Sequence, residues 1–167
     1  RILIKNPSLT DKATAERYVS IFRHYGVNES RVELLGLAPS TYEHLQTYNR
    51  IDIALDTFPY NGTTTSCEAL YMGVPVITYA GETHAGRVGS SILTALDLGD
   101  YIASSQDDYI AIAARLAGNK ARLTELRNDL RLRMAKSPLT DGRAFARKME
   151  QTYRTIWQAY CSPGRNI

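Results

Sequence analysis

The sequence predicts an α/β fold: a Rossmann-like parallel sheet flanked by helices, with a helical C-terminal extension. Three observations carry this. Short apolar runs of strand length alternate with stretches whose apolar residues recur every three or four positions. Gly or Pro punctuates most junctions, and after residue 105 the strand signal gives way to helical periodicity alone. The chain has 167 residues, 44% of them hydrophobic and 22% charged. That is enough apolar mass to close a core and excludes a disordered or low-complexity chain.

The elements follow in order. Ile2–Lys5 reads as a strand. Thr10 or Asp11 caps a helix running to Tyr25 and stopped by Gly26, with Ala15, Tyr18, Val19, Phe22 and Tyr25 on one buried face. Val32–Leu35 is a second strand ended by Gly36, and Pro39-Ser40 opens a helix through Tyr48. Residues 51–57 form a third strand whose near-continuous apolar character suits burial on both faces. A turn over 58–62 leads through Thr63, Thr64 and Thr65 into a helix ending at Met72, stopped by Gly73. Residues 74–79 make a fourth strand, 81–86 a loop, 88–96 a helix and 101–103 an edge strand.

Three helical stripes complete the chain. Tyr109, Ile112, Ala113 and Leu116 line the first; Leu123, Leu126, Leu130 and Met134 line the second. Phe145, Met149, Tyr153, Ile156, Trp157 and Tyr160 line the third and read as core, followed by a frayed tail from Ser162. Residues 1–136 read as the Rossmann-like domain and 137–167 as a helix and tail packing on it. Because the chain opens at Arg1 inside a strand, it reads as a piece of a longer protein.

Charge and cysteine content narrow the function classes. Lys and Arg number 20 against 17 Asp and Glu, and this surplus of three is too diffuse for a nucleic-acid surface. No apolar run approaches the roughly 18 residues of a membrane span. Cys67 and Cys161 read as free thiols, which points to a reducing, cytoplasmic setting. No Cys/His cluster has metal-ligand spacing.

In open parallel sheets, ligands bind at the carboxyl ends of strands. The segment over 56–65 is the most informative strand exit. Gly62 allows close backbone approach, and Thr63, Thr64 and Thr65 offer hydroxyls and amides at a helix N-terminus, where an anion is favoured. Glu68 lies one turn beyond Thr64, within reach of a ribose if a phosphate occupies the turn. The same residues also fit a capping box, Thr65 with Glu68, and the two readings can coexist. Neither a Walker loop nor a GxGxxG is present.

Elsewhere the local pattern leaves alternatives open. His44 reads either as a packing residue or as an imidazole on a nucleobase. Glu82, Thr83, His84 and Arg87 read either as sugar and phosphate contacts or as an ordinary helix start. Asp56 fixes its loop through backbone amides rather than acting as a catalyst. No nucleophile–base pair or carboxylate couple stands out, so no catalytic residue is assigned within the chain.

The run from Asp52 through Asp56-Thr57-Phe58-Pro59-Tyr60-Asn61-Gly62-Thr63-Thr64-Thr65 to Glu68 and Val76 resembles the C-terminal catalytic region of the SPINDLY and O-GlcNAc transferase family. The resemblance continues through Gly81-Glu82-Thr83-His84-Ala85-Gly86-Arg87 and Ser137-Pro138-Leu139, and covers essentially the whole chain. It implies half of a GT-B glycosyltransferase that moves a sugar from a nucleotide to Ser or Thr hydroxyls of a polypeptide. Ala38, Pro39 and His44 then match the base-binding stretch, Thr64 and Thr65 the pyrophosphate-binding threonines, and Glu68 the acidic ribose partner. Asn61, Gly62, Thr63, Glu82, Thr83, His84 and Arg87 complete the implied donor side.

Thr63 stands where O-GlcNAc transferases have His, and Ser40-Thr41 replaces a base-contacting Lys. These departures favour the SPINDLY-like branch and leave the donor open between UDP-GlcNAc and GDP-fucose. The resemblance places the catalytic base, a phosphate-contacting Lys and the acceptor-holding tetratricopeptide repeats in an N-terminal part this sequence lacks. It calls for no divalent metal. Alternatives of related architecture are a soluble N-glycosyltransferase, a sugar-nucleotide epimerase, or a catalytically silent nucleotide-binding scaffold.

Overall fold

The computed structural model describes residues 1–162, so the expected tail beyond Ser162 lies outside the described residues. The chain divides into two compact units, Arg1–Ile51 and Asp52–Ile167.

In the first unit β1 (Ile2–Lys5) pairs in parallel with β2 (Val32–Leu35), Ile2 opposite Val32 and Lys5 opposite Leu35. The crossover between them carries α1 (Lys12–His24). Its N-cap is Asp11, whose carboxylate accepts the Thr14 N–H at 2.8 Å, while Arg23 and His24 sit in the last turn against the helix dipole. Gly26, at φ +76°, ends it as expected. The apolar face of α1 is covered less than its periodicity implied: Ala15, Val19 and Phe22 are half-buried, but Tyr25 stays 78% exposed. α2 (Thr41–Gln46) is capped by Ser40, whose hydroxyl accepts the Glu43 N–H and donates to the Glu43 carboxylate, and runs into a 3-10 turn (Thr47–Arg50), where Tyr48 is buried.

The second unit carries a three-stranded parallel sheet in the order β3 (Ala54–Leu55), β4 (Val76–Tyr79), β5 (Ile102–Ala103). The strands are thus parallel and flanked by helices, in two hydrogen-bonded groups. β3 is shorter than the 51–57 expected and is not buried on both faces; Leu55 is 54% exposed. In that sheet it is an edge strand, whereas β4 is central and its Val76 and Ile77 are closed off from water.

Around this sheet lie α3 (Thr64–Tyr71), α4 (Val88–Ala95), α5 (Gln106–Ala117) and α6 (Lys120–Lys136). α4 and α5 pack on β4, and α6 packs on α3 and α5. Ser105 caps α5 by accepting the Asp108 N–H at 3.1 Å, and Asn119 caps α6 by accepting that of Arg122 at 3.0 Å. Leu70, Ile77, Leu93, Leu126 and Leu130 are fully buried, each contributing roughly 1.5–3 kcal/mol of burial. α3 ends at Gly73, whose φ of +80° and approach to the Arg127 carbonyl leave no room for a Cβ.

α7 (Gly142–Cys161), capped by Asp141, departs from expectation. Its stripe was expected in a core, yet none of its residues is buried; Phe145, Tyr153, Ile156, Trp157 and Tyr160 are all exposed. Periodicity reports an amphipathic face and not what covers it. No helix among the described residues is long and apolar enough to cross a membrane.

Candidate functional site

The predicted Thr-rich turn is held by the side chain at the end of β3. Asp56 is 7% exposed. Its Oδ1 accepts the Gly62 N–H at 2.7 Å and its Oδ2 accepts the Thr78 hydroxyl, on β4, at 2.7 Å. Burial pushes this carboxyl above the ordinary Asp value, with the two donors pulling against it. Tyr109, from α5, donates its phenol to the Asp56 carbonyl at 2.8 Å, and burial followed by the Asp56 charge raises that phenol well above its usual range. Its ring and that of Tyr79 meet Phe58 edge-on, at 5.7 and 5.4 Å.

Asn61 ties the turn in other directions. It is 1% exposed; its amide nitrogen donates to the Thr57 carbonyl at 2.9 Å, and its Oδ1 accepts the Gly89 N–H at 3.2 Å. Its backbone N–H reaches the Ala85 carbonyl at 3.0 Å, joining the turn to the 81–86 loop. That loop is pinched at its base, where Gly81 N–H donates to the Gly86 carbonyl at 2.7 Å. Glu82, Thr83, His84 and Arg87 are exposed on it and just after it.

α3 starts at Thr64, one residue before the expected capping box. Thr63 is therefore the N-cap, and it makes no side-chain cap bond. Thr65 is thus not the cap that the box reading with Glu68 made it: it lies inside the first turn, its hydroxyl 2.7 Å from where a Gly62 Cβ would stand. Thr63, Thr64 and Thr65 are exposed, and Glu68 is half-buried one turn after Thr64. Gly62 is required here: a Cβ would stand 2.7 Å from both the Ser66 and Thr65 hydroxyls. The adjacent Cys67 thiol is pushed up by burial and by Glu68, which keeps it a poor nucleophile.

In the first unit, Ala38 and His44 are half-buried and Pro39 is exposed. His44 Nδ1 meets Lys5 Nζ in a short hydrogen bond, and the imidazole lies edge-on to Tyr48 at 5.7 Å.

The structure thus joins Asn61 to the 81–86 loop and Gly62 to Asp56, and places the three threonines at a helix start with no side-chain cap bond from Thr63. Sequence reading missed Lys5, Thr78 and Gly89 as partners. Two of these carried a signal. Thr78 is a polar residue inside an apolar strand run, and Gly89 stands at the start of a helix, where Gly costs about 1 kcal/mol against Ala unless space demands it. Here space demands it: a Gly89 Cβ would lie 2.4 Å from Asp56 Oδ2.

Fold and turn together define an α/β domain that presents a helix N-terminus at a strand's carboxyl end, an arrangement suited to anions. The sequence matches glycosyl transferase family 41 over residues 7–149, and the chain belongs to that family. It is 44% identical over 161 residues to a Hordeum vulgare protein named probable UDP-N-acetylglucosamine–peptide N-acetylglucosaminyltransferase SPINDLY, covering 96% of this chain and 17% of that one. An Arabidopsis thaliana protein, the probable transferase of the same type named SEC, is 34% identical over 84% of this chain and 15% of its own length. A solved structure of a Thermobaculum terrenum O-GlcNAc transferase mutant superposes with a TM-score of 0.90 at 40% identity, covering 96% of this chain and 31% of that one. The chain therefore spans less than a fifth of its curated relatives.

Proposed function

We propose that this chain is the donor-binding half of a protein O-glycosyltransferase, transferring GlcNAc from UDP-GlcNAc or fucose from GDP-fucose to Ser/Thr hydroxyls. The observation that carries the reading is the threonine-bearing start of α3, with no side-chain cap bond from Thr63 and with Thr63, Thr64 and Thr65 exposed. In this reading an acceptor hydroxyl attacks the anomeric carbon and the nucleoside diphosphate departs. First-turn amides and the Thr64 and Thr65 hydroxyls stabilise the charge that develops on it. Glu68 accepts from the ribose, and Ala38, Pro39 and His44 contact the base. Glu82, Thr83, His84 and Arg87 serve the sugar and phosphate side; Asn61 and Gly62, turned inward, contribute by holding the turn. No metal or cofactor is assigned a step. The base and the polypeptide-holding repeats belong to parts of the parent protein outside this chain, a cytoplasmic enzyme in this reading.

Calorimetric titration with UDP and with GDP tests the proposal. Thr64→Ala/Thr65→Ala is expected to weaken the preferred diphosphate by tenfold or more, about 1.4 kcal/mol. Equal affinity for wild type and variant contradicts it.

A further inference from the structure

We propose that Asp56 is a positioning residue for diphosphate binding: its carboxylate sets the backbone of the turn that presents Thr63, Thr64 and Thr65. This deepens the donor-site reading and rests on it. The carboxylate is not needed to attach β3 to β4, because the backbone does that: Ala54 N–H donates to the Pro75 carbonyl and Asp56 N–H to the Ile77 carbonyl, each at 2.9 Å. What the side chain adds is a bond to Gly62, six residues on and directly before the threonines, together with a bond to Thr78 on the central strand. One oxygen faces the turn and the other faces the central strand, so the turn is clamped to the floor of the sheet.

Two features argue that this clamp serves more than stability. Burying a carboxylate is costly, and this one gives both of its oxygens to the turn and to the strand beside it, with no cation paired to it among the described residues. The surroundings are also cut to fit it. Gly62 approaches Oδ1 so closely that a Cβ there would stand 3.3 Å from it, and a Gly89 Cβ would stand 2.4 Å from Oδ2. The tolerance of a binding turn is about half an ångström, which a single fixed hydrogen bond across a short loop can enforce. A carboxylate near an anion also repels it, so the charge itself is a cost. The gain comes from two acceptor oxygens at fixed positions.

The test compares Asp56→Ala, Asp56→Asn and Thr78→Val in the whole chain. Each is titrated with UDP and GDP, with far-UV circular dichroism and melting followed in parallel. Asp56→Ala is expected to fold and to lose tenfold or more in diphosphate affinity. Asp56→Asn can still accept from Gly62 through Oδ1 and donate to the Thr78 hydroxyl, and should stay within about threefold of wild type. Thr78→Val, losing one arm of the clamp, should fall between them. A folded Asp56→Ala that binds like wild type overturns the proposal, as does an Asp56→Asn as weak as Asp56→Ala. If Asp56→Ala does not fold, unchanged binding by Thr78→Val overturns it. A wild type that binds neither diphosphate defeats the donor-site reading itself, and this proposal with it.

Discussion

At the scale of single residues, the second unit hides its most consequential polar groups. Asp56, Asn61 and Thr78 are buried, and each is bonded to a specific partner across the turn or the sheet. Asp56 makes stability depend on pH in a definite direction. Its folded carboxyl titrates above the ordinary value of 3.8, so the folded state favours the protonated form relative to the unfolded chain. Its contribution is therefore most favourable below that value and is lost as pH rises through the raised one. Asp56→Asn, which cannot ionise, should gain stability relative to wild type as pH is raised from below 4 toward neutrality. Melting temperatures of the pair across that range check this. A difference that is flat, or that moves in wild type's favour, contradicts it.

At the scale of elements, helix ends were the most legible part of the sequence, because single residues with fixed preferences make them. Asp11, Gly26 and Gly73 all act where expected. Gly73 combines a left-handed φ with a 2.6 Å approach of its virtual Cβ to the Arg127 carbonyl. Gly73→Ala should cost at least the ~1–2 kcal/mol of the left-handed conformation, read as a fall in the denaturant midpoint. A change within error would show that the α3–α6 contact yields easily. Less legible were β3, whose exposure depends on its place in the sheet, and the start of α3. There three consecutive threonines offer nearly equal capping chemistry, and the clamp from Asp56 to Gly62 accompanies a cap at Thr63, two residues before the expected Thr65. The candidate turn was visible as composition, but the carboxylate that shapes it bonds to Thr78, 22 positions away, and no local pattern reports such a pairing.

At the scale of the whole molecule, parallel α/β architecture and family membership were both readable, while the fate of α7 was not. Its apolar face has the spacing of a core helix, yet it stays open among the described residues. The chain's single tryptophan, Trp157, is 65% exposed on that face. Its emission should therefore be that of an indole in water, quenched by acrylamide in the native chain nearly as strongly as after denaturation. A blue-shifted, protected emission would contradict this exposure. The central claim is that the exposed threonine turn grips the diphosphate of an activated sugar. Amide chemical-shift mapping of the 15N-labelled chain, titrated with UDP and with GDP, tests it most directly. The account predicts saturable shifts concentrated on Gly62, Thr63, Thr64, Thr65 and Ser66. Saturable binding that leaves those five amides unmoved, or no binding of either nucleotide, would contradict it.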